Sequence, residues 1–163
     1  MKTLLLLRHA KSSSKHPELA DHDRPLNKRG KQTAPLMGAL LQDENLIPDL
    51  ILCSSAVRTH ITAILVAKAC NYMGKIEQTR KLYLAEPEDY IEVLCKVAEE
   101  HAHVLVVGHN PGLETLIETL TGEAIVMPTA ALAHIELPLK RWGDLEMNTE
   151  CKLVNVWLPK ILG

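Results

Sequence analysis

Apolar positions in this chain follow two rhythms, continuous runs and 3.6-residue stripes, and the two alternate along its length. "TLLLL" at residues 3–7 is an unbroken run that stops at Arg8 and His9, as expected of a strand covered on both faces. A polar loop follows from Lys11 to Arg24. "LNKRGKQTAPLMGALLQDEN" (26–45) predicts a helix, with Asn27 as N-cap and Ala34, Met37 and Leu41 on one face. Pro35 inside it predicts a kink or a division. "PDLILCS" (48–54) reads as a second buried strand. The next helix is expected over "SAVRTHITAILVAKACNYMG" (55–74), with Ile61, Ile64, Leu65 and Lys68 at helical spacing and Gly74 as its stop.

"EPEDYIEVLCKVAEE" (86–100) predicts a helix opened by Pro87, with Glu88 and Asp89 at its positive end and Ile91, Leu94, Cys95 and Ala98 as its apolar stripe. "HVLVVGHNPGLETLIETLTG" (103–122) reads as strand, tight turn and helix. In that helix Pro111 comes early, Leu113, Leu116, Ile117 and Leu120 face inward, and Gly122 is the stop. Two late strands are expected at "ALAHIEL" (131–137) and "CKLVNVWL" (151–158), joined by the turn "KRWGDLEMNTE" (140–150). Strands alternating with helices predict an α/β fold, a three-layer sandwich whose mostly parallel sheet has helices on both faces. The last two strands lack room for a crossover helix and should form an antiparallel edge. At 163 residues, with no linker-like stretch, the chain is expected to be a single domain over 1–163.

Composition narrows the function more than the fold. Apolar residues make up 47% and charged residues 23%, with a formal net charge of −2, so no electrostatic footprint for nucleic acid is present. Phe is absent and aromatics are 3%, which leaves little for stacking single strands. Cys53, Cys70, Cys95 and Cys151 are scattered without a C-x-x-C pair, so they read as free, buried thiols in a reducing compartment. The N-terminal leucine run is too short for a signal peptide, and no apolar stretch reaches membrane-spanning length. The expectation is a cytoplasmic protein without membrane or nucleic-acid partners.

The chemistry is expected at strand ends, because ligands of open α/β sheets bind beyond the carboxyl ends of the strands. The first strand ends at Arg8-His9, the second runs through "CSSAVRT" to Arg58, and the "HVLVV" strand ends at "GHNPG" with His109 and Asn110. If these strands are parallel neighbours, two arginines and two histidines share one crevice. Guanidinium forks match phosphate oxygens. Helix N-termini after Ser55 and Asn110 add backbone donors. A neutral imidazole among them can attack phosphorus, and a second, protonated imidazole can stabilise the developing charge. Such a cationic cluster supplies the electrostatics a metal would otherwise provide, so neither metal nor cofactor is expected.

"LLLLRHA", "SSAVRT" and "VVGHNPG" resemble the three signature segments of the histidine phosphatase superfamily, also called phosphoglycerate mutase-like. "DHDRPLNKRG" and "LYLAEPEDYIEVL" are similar to its SixA branch, the phosphohistidine phosphatases. The resemblance implies that His9 is the phosphorylated nucleophile and that Arg8, Arg58 and His109 hold the phosphoryl group. Ala10 stands where the family has glycine, a mild change unless that position requires positive φ.

Around this set the readings stay open. Glu86 is placed either as a general acid or simply at the positive start of a helix. Arg24, in the charged loop Asp21–Arg24, either meets substrate or ties to a local carboxylate, and Thr129 brings a hydroxyl near the pocket. Lys11 and Ser12 to Ser14 read as loop. His101 and His103 form an H-x-H pair better explained by a helix end than by metal. The expected function is a metal-independent phosphatase with a phosphohistidine enzyme intermediate, acting on phosphohistidine in a protein domain. A phosphatase for small phosphoesters is the alternative within enzymes, and a non-catalytic phosphate-binding module the alternative outside them. Oligomeric state is not legible.

Overall fold

The structure is a computed structural model that describes residues 1–159. Ten main elements follow in chain order. They are β1 (Lys2–Arg8), α1 (Lys28–Asp43), β2 (Leu50–Ser54), α2 (Val57–Ala69), β3 (Ile76–Thr79), α3 (Pro87–Cys95), β4 (His103–Gly108), α4 (Gly112–Thr121), β5 (Leu132–Leu137) and β6 (Lys152–Trp157). All six strands join one sheet in the order β3-β2-β4-β1-β5-β6. β3, β2, β4 and β1 run parallel, while β5 pairs antiparallel with β1 and β6 with β5. The α/β sandwich with an antiparallel edge is therefore the fold, and β1, β4 and β2 are indeed neighbours.

The leucine run explains the layering. Leu4 and Leu6 join one core cluster with Tyr90, Leu94, Leu116 and Ile117 of α3 and α4. Leu5 and Leu7 join the opposite cluster with Met37 and Leu41 of α1 and Val66 of α2. All four are fully buried, so period-2 alternation reads as an unbroken run because both faces are covered.

Several expected details differ. α1 passes through Pro35 without dividing. The Lys31 carbonyl, which loses its partner there, lies on the exposed side of the helix where water can serve it. α2 buries Thr59, Thr62, Ala63, Val66 and Ala67, whereas Ile64 is exposed. Small residues take the inner face because α1 and α2 approach closely: a Cβ on Gly38 would sit 2.5 Å from the Val66 carbonyl oxygen. α2 ends at Ala69, with Asn71 rather than Gly74 adopting the left-handed conformation (φ 60). α3 stops at Cys95, leaving Ala98 exposed, and Cys95 and Cys151 are only half-buried, though all four cysteines are free. β3 was not anticipated. The stretch expected to be a plain turn contains Trp142, fully buried, whose indole donates to the His101 carbonyl at 2.7 Å. No helix of the described residues is long and apolar enough to cross a membrane.

Leu6→Ala should lower the unfolding free energy by about 2–5 kcal/mol in urea denaturation. Leu36→Ala, at an exposed position of α1, should change it by no more than about 0.5 kcal/mol.

Candidate active site

The carboxyl ends of β1, β4 and β2 deliver their side chains to one pocket of about 360 Å³, lined by Arg8, His9, Arg58, His109, Asn110 and Arg24 together with Lys11, Ser12, Leu84 and Thr129. Pairing of Arg8 with Gly108 sets His9 beside His109, their ring centroids 5.3 Å apart. Main-chain bonds fix the presenting turn: His9 N donates to the Gly108 carbonyl, and Ala130 N to the carbonyls of Arg8 and His9. Ala10 is fully buried, donates its N–H to Thr62 Oγ1 at 3.0 Å and is not among the residues with positive φ. Its methyl group packs in the α1–α2 core without backbone strain.

Hydrogen-bond partners define the imidazoles. His9 Nδ1 lies 2.7 Å from the Ala10 carbonyl oxygen, which can only accept, so Nδ1 carries the proton and Nε2 the lone pair. Burial, and then the charges of Arg58, Arg8 and Arg24, push the His9 pKa down to about 4 despite the Ala10 bond. His109 Nδ1 accepts from Arg58 Nη2 at 3.4 Å, which leaves Nε2–H to donate to Ser54 Oγ at 2.8 Å. Burial and the neighbouring Arg58 charge bring its pKa to about 3. Burial first, and then the Arg58 cation pressed against it, favour the neutral form of His109 in the free protein.

The arginines are anchored from behind. Arg58, 3% exposed, donates Nη1 to the Asp21 carbonyl at 2.7 Å and Nη2 to Asp21 Oδ2 at 2.9 Å. Arg24 donates Nη2 and Nε to Asp21 Oδ1, and Nη1 to Ser12. Tyr83 O–H donates to Asp21 Oδ2 at 2.6 Å, and its ring packs edge-on against His109 and His22. Tyr83 foremost, then Arg58 and Arg24, hold the Asp21 carboxyl well below the usual carboxylate range. Arg8 donates to the Met127 carbonyl at 3.1 Å, which also receives Asn110 Nδ2 at 2.7 Å, while Glu114 fixes Met127 N. Among the described residues, Arg8 Nε and Arg58 Nε are buried donors without a protein acceptor.

Arg8, His9, Arg58, His109, Asn110, Arg24 and Thr129 are therefore brought together; Glu86 is not. It sits at the start of α3, its N–H bound to Asp89 Oδ2, and lines a neighbouring depression. Among the described residues no carboxylate lines the pocket itself. Sequence reading missed Asp21 as the anchor of two arginines, and with it Tyr83 and Ser54. The one signal was Tyr83, inside "LYLAEPEDY" in a chain with few aromatics. His101 precedes β4, so it shares no strand face with His103. No group of three or more His, Cys, Asp or Glu side chains able to hold a metal occurs among the described residues. A wider depression of about 440 Å³ lies between β3 and α3, lined by Leu52, Lys81, Val93 and Lys96, and it contains no such set of arginines and paired histidines.

A doubly covered α/β sheet with paired histidines and arginines at its strand ends is the architecture of a phosphoryl-transferring hydrolase. The chain belongs to the histidine phosphatase superfamily (branch 1), whose pattern matches residues 4–83. It is 33% identical over 166 residues to an uncharacterised protein of Mycobacterium tuberculosis, covering 94% of this chain and 100% of that one. Its fold is similar to a structure assigned as phosphohistidine phosphatase SixA from Agrobacterium tumefaciens (30% identity, TM-score 0.82, 97% and 98% of the two chains). A second, assigned likewise from Nakamurella multipartitia, matches at 25% identity and TM-score 0.85 over 97% and 96%. The chain is a hydrolase of the phosphatase kind.

Two measurements probe this site. Both imidazoles protonate near 6.5 when unfolded but only near 4 and 3 when folded, so the unfolded state binds more protons between those values. Their contribution to stability should be complete above pH 6.5 and decline as the pH falls towards 4 and below. His9→Gln should flatten that decline in urea titrations run from pH 7 to 4. Asp21→Asn should lower stability by about 1–3 kcal/mol, by removing the charged acceptor of buried Arg58. The half-exposed carboxylate keeps the value towards the lower end.

Proposed function

We propose that His9 is the nucleophile of a two-step phosphatase whose substrate is phosphohistidine carried on a protein, with the catalytic machinery contained in a single domain. The observation that carries the reading is the His9 ring, with Nδ1–H bound to the Ala10 carbonyl and a neutral Nε2 inside a pocket lined by arginines. In the first step Nε2 attacks phosphorus, the new N–P bond forms, and the substrate's P–N bond breaks with its electron pair returning to the departing imidazole, which takes a proton from water. In the second step water attacks the phosphorylated His9, releasing inorganic phosphate and regenerating the ring.

Arg8 and Arg58, which line the pocket, stabilise the transferring group. His109 stands beside the nucleophile and takes up a proton more readily once a dianion offsets the Arg58 charge. Asn110, Arg24 and Thr129 complete the wall.

The absence of a carboxylate from the lining of the described pocket favours a phosphoramidate. An imidazole leaves without the strong general acid that an alkoxide needs. The neighbours assigned as SixA support the same substrate class. Hydrolysis of small phosphoesters is the second reading, and it would need an acid other than Glu86, which lies in the adjoining depression. A non-catalytic binder would have no use for a neutral, oriented imidazole.

His9→Ala should lower turnover of phosphohistidine by at least about 10³-fold with an unchanged melting profile, and should acquire no acid-labile phosphate. Wild type quenched during turnover should carry such phosphate. For wild type acting on an aryl phosphate, the acid limb of kcat/KM should lie near pH 4. Unimpaired turnover by His9→Ala, or a limb near 6.5, rejects the assignment.

A further inference from the structure

Beside the anion pocket lies a depression of about 430 Å³, sharing Leu84 with it and walled by Pro87, Pro111 and Met147, with Glu86 and Glu88 on its rim. Leu84 is 56% exposed and holds a left-handed backbone, φ 49, a conformation leucine rarely adopts. Its neighbours fix it there. Tyr83 is tied to Asp21, and Ala85 is buried with its carbonyl oxygen packed against Gly112, where no side chain would fit. An apolar side chain is thus held on the boundary between the phosphoryl pocket and a groove lined by both apolar and polar residues, in a strained backbone conformation.

The two cavities have opposite charge. The pocket carries arginines and Lys11, whereas the charged residues of the groove are carboxylates. A small, highly anionic phosphoester gains nothing from exposed glutamates at its entry. A polypeptide that places its phosphoryl group among the arginines and a cation over the glutamates fits both halves.

We infer that this groove docks the polypeptide bearing the phosphoryl group, taking an apolar side chain against Leu84 and Met147 with a lysine or arginine beside Glu86 and Glu88. The inference rests on the phosphohistidine-protein reading and gives Glu86 a recognition role in place of an acid's.

The test compares three probes: free phosphohistidine, a peptide with phosphohistidine flanked by leucine and lysine, and one of equal length flanked by serine and glutamate. In wild type at low salt, kcat/KM for the leucine–lysine peptide should exceed that for the glutamate peptide about fivefold or more, through KM, as expected for two exposed charge pairs. Glu86→Gln with Glu88→Gln should reduce the preference to the part carried by leucine, and Glu86→Lys with Glu88→Lys should reduce it further by disfavouring the lysine. Each variant should turn over free phosphohistidine at the wild-type rate. Equal rates on both peptides with free phosphohistidine still hydrolysed overturn the docking groove alone. Loss of free phosphohistidine turnover in the Gln variant overturns it in favour of an acid. Failure on all three probes, with an aryl phosphate still hydrolysed, overturns the parent reading and this inference with it.

Discussion

Burying positive charge at the ends of parallel strands is the constraint that organises this protein. Arg58 is almost wholly buried next to His109, with Arg8 and Arg24 on the same pocket. Unpaired charges in such a place are strongly destabilising. One half-exposed carboxylate, Asp21, offsets the deepest of them and holds Arg24 as well. Burial foremost, and then the remaining excess of positive charge, favours the neutral form of both imidazoles. A nucleophile must keep its lone pair, and here burial, reinforced by the cations that would grip phosphate, favours it at His9.

The fold supplies the rigidity this arrangement needs. β1 is an interior strand, hydrogen-bonded on both sides and covered on both faces, so Arg8 and His9 are delivered by an element with little freedom. β4 and β2 deliver His109 and Arg58 in the same direction. The antiparallel β5–β6 edge closes the other side of the sheet, and the turn before β5 uses left-handed Ala130 to bond back onto the β1 end.

How much of this the sequence carried depends on whether a feature is local. The β1 run, the Pro87 helix start and the strand-turn-helix around His109 are set by short-range patterns, and each lies where those patterns put it. The inner face of α2 was misjudged because hydrophobicity ranks Ile64 above Ala63, while the close crossing with Gly38 admits only small groups. β3 is an edge strand of half-exposed residues, "IEQT", and so has no apolar run to announce it. At the site, Arg8, His9, Arg58 and His109 were legible as strand-end residues. The Asp21–Arg58 and Asp21–Tyr83 bonds join positions 37 and 62 residues apart, and no local pattern encodes them. Glu86 illustrates the reverse case, since its place in the sequence suited an acid and its place in the fold is one cavity away.

A crystal structure with orthovanadate, a mimic of the transferring phosphoryl group, tests the central claim most directly. The account predicts vanadium bonded to His9 Nε2, with its equatorial oxygens held by Arg8, Arg58 and His109. Vanadate bonded to a different side chain, or bound away from the β1–β4–β2 strand ends, would contradict it.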